Sequence, residues 1–461
     1  MKKQKLLSVL ILAGILNINF MPLSAMAWGQ KKVLNAGISE YKFEYINMNW
    51  WETFNDDTLK GYISKALEQN HDMKIASLRV EEYNHLARIQ FAKQLPSMYT
   101  LPGIASMKNA DSTAFGGSYA LPLLVNYEAD IFLKNRDKTK AAKKMFEVSK
   151  ADERATYIAI SSAVASTYFN LVRTDKLIAI QQEIETYKKQ VYDLTAKRNK
   201  QGLSSTADTV RADKDFVIAQ TDLIELEKTR NILLNQLAVL VGESPTNASE
   251  LKRIAYDDIK FNQEIPSEIP SSIIVKRPDV LSAETQLEKA GIDVKVARKE
   301  LLPSINIGGL LMFNASSLGS TFNWQNSLAA LGGGLMFPLF TGGAKITNLK
   351  LKKNSYEQML QSYQKTNLVA IQEVNDALSN LKLDDEKYNQ NLKKLKLEQT
   401  DFGYNEKKFK QGTISYLDLI QHKENLLNMN KVVASSYTDR IIDQISLYKA
   451  TGSKMPTGNN L

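Results

Sequence analysis

The chain reads as mainly α-helical and built twice over, with a few strands in each half. Three observations predict this. The stretches "KRNKQGLSSTAD" (Lys197 to Asp208) and "KKFKQGTISYLD" (Lys407 to Asp418) share one pattern, 210 positions apart: a basic run, Lys-Gln-Gly, then an acid six places after the glycine. Other landmarks keep step, since Leu95-Pro96-Ser97 and Leu302-Pro303-Ser304 are offset by 207, and Gly242 and Gly452 by 210. So small a drift over such a span indicates a duplicated unit. Finally, Lys134 to Lys200 contains no proline and is rich in Ala, Lys, Glu, Leu and Thr. At 1.5 Å per residue that is a helix of roughly 100 Å.

Residues 1–27 read as a secretory leader. Lys2, Lys3 and Lys5 precede the apolar run Leu6 to Leu16, and Ala25-Met26-Ala27 offers a small-x-small cleavage site before Trp28. The sequence has no cysteine, which excludes disulfides and a lipid anchor on an N-terminal cysteine. Beyond the leader no apolar run approaches the ~18 residues of a spanning helix, so entry into a membrane would require a closed β-barrel.

The first repeat, within residues 28–242, opens with a helix after Asn70-His71-Asp72 that ends at Leu95-Pro96-Ser97. Two β-favouring stretches follow, "SMYTLPGIASM" and "GGSYALPLLVNYEADIF". Each is long enough to cross a bilayer at a tilt, although buried strands of a soluble sheet look alike. Next comes the long helix and its return. The return carries a heptad seam running from Ala212 through Phe216, Ala219, Leu223 and Leu226 to Leu233, Leu237 and Leu240, interrupted by Arg230. Residues 243–276, rich in Pro, Ser and Asn, read as a linker. The second repeat, 277–452, restarts at Arg277-Pro278-Asp279 and passes "SINIGGLLMFNASS" and "NSLAALGGGLMFPLF". Its own hairpin follows, with a seam at Ile371, Val374, Leu378 and Leu381. Residues 453–461 form a tail. Each quoted turn is thus the tip of a long αα-hairpin. Gly202 and Gly412 close the first helix as left-handed residues. Ser205 and Ser415 cap the second, with Asp208 and Asp418 at the third helical position.

The composition excludes several functions. The formal net charge is +9, but Lys and Arg alternate with Glu and Asp along helices ("EKTR", "DDEK", "QHKEN"), which reads as solvated faces rather than a nucleic-acid surface. His71, His85 and His422 are scattered, without an HExxH pair. P-loop, GxSxG and dinucleotide signatures are missing, and Gly332-Gly333-Gly334 lies in a predicted strand, where glycine allows close backbone packing. No residue is assigned to catalysis, a cofactor or a metal, and the chain does not read as an enzyme.

Several blocks, taken in order, resemble the TolC-like outer-membrane efflux proteins, especially those serving tripartite resistance-nodulation-division pumps. They are "NWWETFNDDTLKGYISKALEQNHD" (Asn49 to Asp72), "NYEADIF", "YFNLV" (Tyr168 to Val172), "EIPSEIPSSIIVKRPDVLSAETQLEKAGIDVKVARKELLPSINIGG" (Glu264 to Gly309) and "FPLFTGG" (Phe337 to Gly343). The resemblance implies a homotrimer in the outer membrane. Each protomer would give four strands to a 12-stranded barrel and its helices to a long periplasmic α-helical barrel. Two departures stand out: the lipid-bearing cysteine of many members is missing, and Phe132-Leu133-Lys134 replaces the usual Phe-Gly-Arg.

The same resemblance gives roles to the tips. Asp418 would belong to an acidic ring at the periplasmic aperture, flanked by Leu417. The family's second acid is Gln421 here, which makes the ring less negative. The alternative reading of Asp418 is a helix cap only. Asp208 would link neighbouring hairpins or, again, cap with Ser205. Gly202, Leu203 and Ser204, with Gly412, Thr413 and Ile414, match the region that meets a periplasmic adaptor. Leu203 and Ile414 either form an exposed contact edge or fold back on their own hairpins. The implied function is an exit duct joined through the adaptor to an inner-membrane pump, passing small toxic compounds or metal ions. Type I protein secretion and a non-channel periplasmic scaffold are the alternatives.

Overall fold

A computed structural model describes residues 50–107, 116–261, 265–266, 269 and 271–452. The leader (1–27) and the tail (453–461) lie outside the described residues. The chain is mainly helical. Its elements are α1 (Asp57–Gln69), α2 (His71–Ala92), β1 (Ser97–Thr100), β2 (Gly103–Met107), β3 (Gly116–Ala129), α3 (Lys134–Lys200), α4 (Thr206–Leu240), the single turn α5 (Ser271–Ile274), α6 (Pro278–Lys299), β4 (Ser304–Ala315), β5 (Ser327–Met336), α7 (Ala344–Lys410) and α8 (Tyr416–Thr451). The long helices α3 and α7 are both 67 residues, one in each half.

Two compact units form, and neither follows the sequence halves. Among the described residues, 79–107, 116–149 and 283–362 make one, and 50–78, 150–261, 265–266, 269, 271–282 and 363–452 the other. Each therefore takes parts from both repeats.

The first unit holds the sheet, ordered β1-β3-β4-β5 and antiparallel throughout, with β2 also on β3. The first predicted strand is broken in two. Thr100 pairs with Leu123 and Gly103 with Ala120, so Leu101-Pro102 lie opposite Leu121-Pro122. Two prolines meet there, and neither has an N–H to give the ladder. The last strand stops at Met336, short of the predicted Phe340, because Pro338 cannot continue it.

Pairing across β3, β4 and β5 sorts side chains by face, since cross-strand partners share a side. Val125, Gly309 and Leu331 stand in one row and Ala129, Ile305 and Leu335 in another. This face stays apolar along the strands, with Leu123 and Leu311 farther on. The opposite face turns small and polar toward the helix-bearing end, where the rows are Asn126, Gly308, Gly332 and Glu128, Asn306, Gly334. β1 with β2 on one side and β5 on the other leave two open edges.

The second unit holds the main core. Trp50, Trp51 and Phe54, from the Trp-Trp-x-x-Phe block, are buried with Leu59, Ile63, Tyr168, Phe169, Leu237 and Tyr448. Trp50 stacks on Tyr448 at 5.1 Å and Phe54 meets Phe169 at 5.0 Å. Asp56 caps α1, accepting from Thr58 N and Leu59 N at 2.9 and 3.0 Å, and its other oxygen accepts from the Tyr168 hydroxyl at 2.7 Å. Described residues of the 243–276 linker pack on the cores. Ala248 and Leu251 are buried in this core, Ile254, Tyr256, Ile259 and Phe261 pack on it, and Ile265, Ile269 and Ile274 pack on a second cluster around Val374 and Leu381.

The seam of α4 faces inward as its heptad predicts: Ala212, Ala219 and Leu237 are buried and its other members are partly buried. In α7 the prediction needs one correction. Ile371 is exposed, and the buried beat is Ala370, Val374, Ala377, Leu381. A straight helix of 3.6 residues per turn drifts against a 3.5 repeat, and the small Ala370 sits where Arg277 closes in, its carbonyl 3.5 Å from Nη1.

Candidate functional site at the hairpin tips

Both tips end their first helix in the same way. Gly202 and Gly412 have φ of 73° and 71°, the left-handed region where a Cβ is penalised. Leu203 N donates to Arg198 O at 2.8 Å and Gly202 N to Asn199 O at 2.9 Å. In the second hairpin Thr413 N donates to Lys408 O and Gly412 N to Phe409 O, each at 2.9 Å. These paired bonds close a Schellman motif and satisfy the last carbonyls of α3 and α7. Three basic residues, Lys197, Arg198 and Lys200 or Lys407, Lys408 and Lys410, occupy each last turn, where the helix dipole favours cations.

The second helices start on reciprocal caps. Ser205 Oγ accepts from Asp208 N at 3.0 Å while Asp208 Oδ2 accepts from Ser205 N at 3.2 Å. Ser415 Oγ accepts from Asp418 N at 3.1 Å and Asp418 Oδ2 accepts from Ser415 N at 3.1 Å. The serine hydroxyls also donate to these carboxylates, at 2.6 and 2.7 Å. Both acids are held below the usual carboxylate range, chiefly by those serine side-chain bonds.

The two tip apolar residues differ. Leu203 is 64 % exposed, whereas Ile414 is half-buried. Ile414 occupies the place of Ser204, which folds back so that its hydroxyl reaches Thr195 O at 3.1 Å. Ile414 takes the corresponding inward place in the second turn.

Within the second unit a crevice of about 370 Å³ brings the two hairpins' candidates together. Leu203, Ser204 and Asp208 line it from the first, Leu417 and Gln421 from the second. Asp418 is exposed and does not line it. Polar contacts join the hairpins here: Lys188 to Glu424 at 2.7 Å, Lys423 to Glu183 at 3.1 Å, and the Tyr416 hydroxyl to Gln190 at 2.9 Å, while Lys188 also reaches Asp215 of its own hairpin at 3.8 Å. The sequence carried no signal for these partners, because each is one charged or polar residue among many on a solvated helix. Gln421 Nε2 donates to Glu424 Oε2 and Asn425 Oδ1, both at 3.4 Å.

The comparisons agree with this architecture. The family model for outer membrane efflux proteins matches residues 62–243 and 269–453, one match in each half. The chain is 25 % identical over 414 residues to the probable efflux pump outer membrane protein TtgC of Pseudomonas putida, covering 87 % of this chain and 84 % of that protein. It is 24 % identical over 418 residues to the cation efflux system protein CusC of Escherichia coli K12, covering 88 % and 89 %. Among solved structures, the Campylobacter jejuni CmeC outer membrane channel superposes with a TM-score of 0.81 at 23 % identity, over 90 % of each chain. A CusC crystal structure gives 0.76 at 23 % identity, over 90 % of this chain and 96 % of that one. The chain belongs to the outer membrane efflux protein family.

Proposed function

We propose that this chain is the outer-membrane exit duct of a tripartite efflux system and works as a homotrimer. The sheet carries the reading: four strand positions, antiparallel, apolar along one face and open at both edges. In hydrocarbon an open edge leaves backbone groups without partners, so such a sheet must close. Three copies joined edge to edge give twelve strands, with the apolar rows outward to lipid and the Asn and Gly rows inward. The hairpins α3–α4 and α7–α8 then continue the bore into the periplasm. Cargo moves passively, driven by an inner-membrane pump that a periplasmic adaptor joins to the tips.

The relatives' names cover an efflux pump and a cation efflux system. That supports small toxic compounds or metal ions as cargo and weighs against protein secretion. At the tips, Asp418 lies on the exposed side of the first turn of α8. In the trimer three such carboxylates form a ring at the aperture, with Leu417 and Gln421 beside it, and the ring attracts cations. Gly202, Leu203, Ser204, Gly412, Thr413 and Ile414 form the edge offered to the adaptor. Asp208 keeps its cap and shares the crevice between hairpins.

The test is purification in detergent followed by recording in a planar bilayer. A trimer with a cation-preferring conductance is expected. Asp418→Ala should reduce that preference and Gln421→Asp should strengthen it. A water-soluble monomer would overturn the barrel, and unchanged selectivity in both variants would overturn the aperture.

A further inference from the structure

A group of exposed apolar side chains in the first unit gathers where strands pass into helices. Leu339 and Phe340 are each 91 % exposed, and Met336 and Phe337 beside them are exposed as well. Ile131, Phe132 and Leu133 follow β3, and Leu301 and Leu302 precede β4; all five are exposed. These three segments adjoin one end of the sheet, because Ser304 pairs with Met336 and Ala129 with Ile305. A crevice of about 470 Å³ opens in the same place, lined by Lys134, Lys299 and Lys345 together with Glu128, Asp130 and Glu300. The lysines are held in position: Lys134 by Glu128 at 2.6 Å, Lys299 by Asp137 at 2.7 Å, and Lys345 by the Glu300 carbonyl at 2.6 Å.

We propose that this joint is a phospholipid site, with acyl chains against the apolar collar and the phosphate and ammonium of a headgroup in the lysine–carboxylate crevice. The proposal rests on the barrel reading and adds the ligand to it. Two considerations point to lipid. Strand β5 has 10 residues; at ~3.3 Å each and a tilt of ~40° it rises about 25 Å, the height of a barrel's apolar band. Residues just past its end therefore stand at the headgroup level, where amphipathic and aromatic side chains settle. The second consideration is coverage. A neighbouring copy pairs with the open edges, yet Ile131–Leu133 and Leu301–Leu302 adjoin β3 and β4, which are already paired on both sides. A second copy cannot cover the middle of the collar, whereas a lipid leaflet covers all of it. The sequence contains no cysteine.

The same lack of cysteine makes the test clean. Single variants Ile131→Cys, Leu302→Cys and Leu339→Cys carry spin labels in the full-length trimer, reconstituted in phosphatidylethanolamine–phosphatidylglycerol vesicles. Leu331→Cys on the apolar strand face and Val210→Cys near the tip are the references. Collar labels should match Leu331, open to oxygen and shielded from a water-soluble nickel chelate. Labels as open to nickel as at Val210, with Leu331 still shielded, overturn the collar and leave the barrel standing. Collar labels closed to both reagents identify protein as the cover and also overturn it. A Leu331 label open to nickel overturns the barrel reading itself. For the headgroup, retained phospholipid is weighed by mass spectrometry of the detergent-purified trimer. Lys299→Gln with Lys345→Gln should lower it about fivefold or more, the scale of surface lysines on membranes; unchanged retention overturns the crevice assignment.

Discussion

Arg277 offers the sharpest test of how the second repeat is locked within the second unit. Its side chain is 8 % exposed. Nε and Nη2 bind both oxygens of Asp279 at 3.0 and 2.7 Å, Nη2 also meets Glu373 at 2.5 Å, and Nη1 donates to the Ala450 carbonyl at 2.8 Å. Burial works against the charge, yet the bonds to Asp279 and Glu373 outweigh it and raise the pKa. Consider Arg277→Met, which keeps the stem and removes the fork. Asp279 and Glu373 are 42 % and 52 % exposed, so water takes back most of their loss, about 0–1 kcal/mol for each pair. The Ala450 carbonyl, in the last turn of α8, is left without its donor at a buried position, at about 1–3 kcal/mol. The sum is about 1–5 kcal/mol, which reaches the ~3–5 kcal/mol of a pair buried on both sides only in its upper part. Arg277→Lys keeps the charge but not the planar fork, and should recover less than half of it. Denaturant unfolding measures the total, and hydrogen exchange over residues 447–452 locates it. A lysine variant as stable and as protected as the parent would refute the fork argument. Equal protection at 447–452 in the methionine variant would refute the role of the Ala450 bond.

Leu133 sits at φ 58°, where a non-glycine residue costs about 1 kcal/mol or more; Leu133→Gly should raise unfolding stability by about that amount in denaturant titration. Gly412→Val and Gly202→Val meet open space around the new Cβ, so only the backbone objects. If the chain is the proposed trimeric duct, each should weaken adaptor co-purification while trimers persist, and unchanged capture in both would remove the tips from the contact. Asp443 is pushed up to about 7, first by burial and then by its hydrogen bond and repulsion with Asp384. The folded chain therefore keeps a proton that the unfolded chain has released above about pH 4. Stability should fall as pH rises from about 4 to 7 and then level off. Asp443→Asn should flatten the curve of Tm against pH.

What the sequence made legible was local. Helix lengths, the glycine stops, the serine–aspartate caps and the seam of α4 all follow from short-range chemistry, and each is readable from a few adjacent residues. The strand stretches were visible too, and the break at Pro102 was in principle readable from the two prolines. Long-range partners were not. Nothing near Arg277 announces a carbonyl 173 positions away, and nothing marks Lys188 as the partner of Glu424. Residues 243–276 read as a linker from Pro, Ser and Asn, and only coordinates could show that Leu251, Tyr256 and Phe261 within it pack on the core. Leu133 was visible as a departure from the usual glycine; that it holds the glycine's backbone conformation needed coordinates.

The pairing of β3 with β4 also sets an order of assembly. Ala129 meets Ile305 about 180 positions later, and closing so long an unstructured loop costs several times RT. A chain that first folds α3 against α4 replaces most of that loop with a rigid return, and the strand ends meet at far lower entropic cost. Until β4 is available, however, β3 has only β1 and β2 for partners, and its apolar row faces water. The nascent chain thus passes through a stage with a long hydrophobic edge exposed, which is an aggregation hazard. Its production should depend on a factor that shields that edge until β4 and β5 are in place.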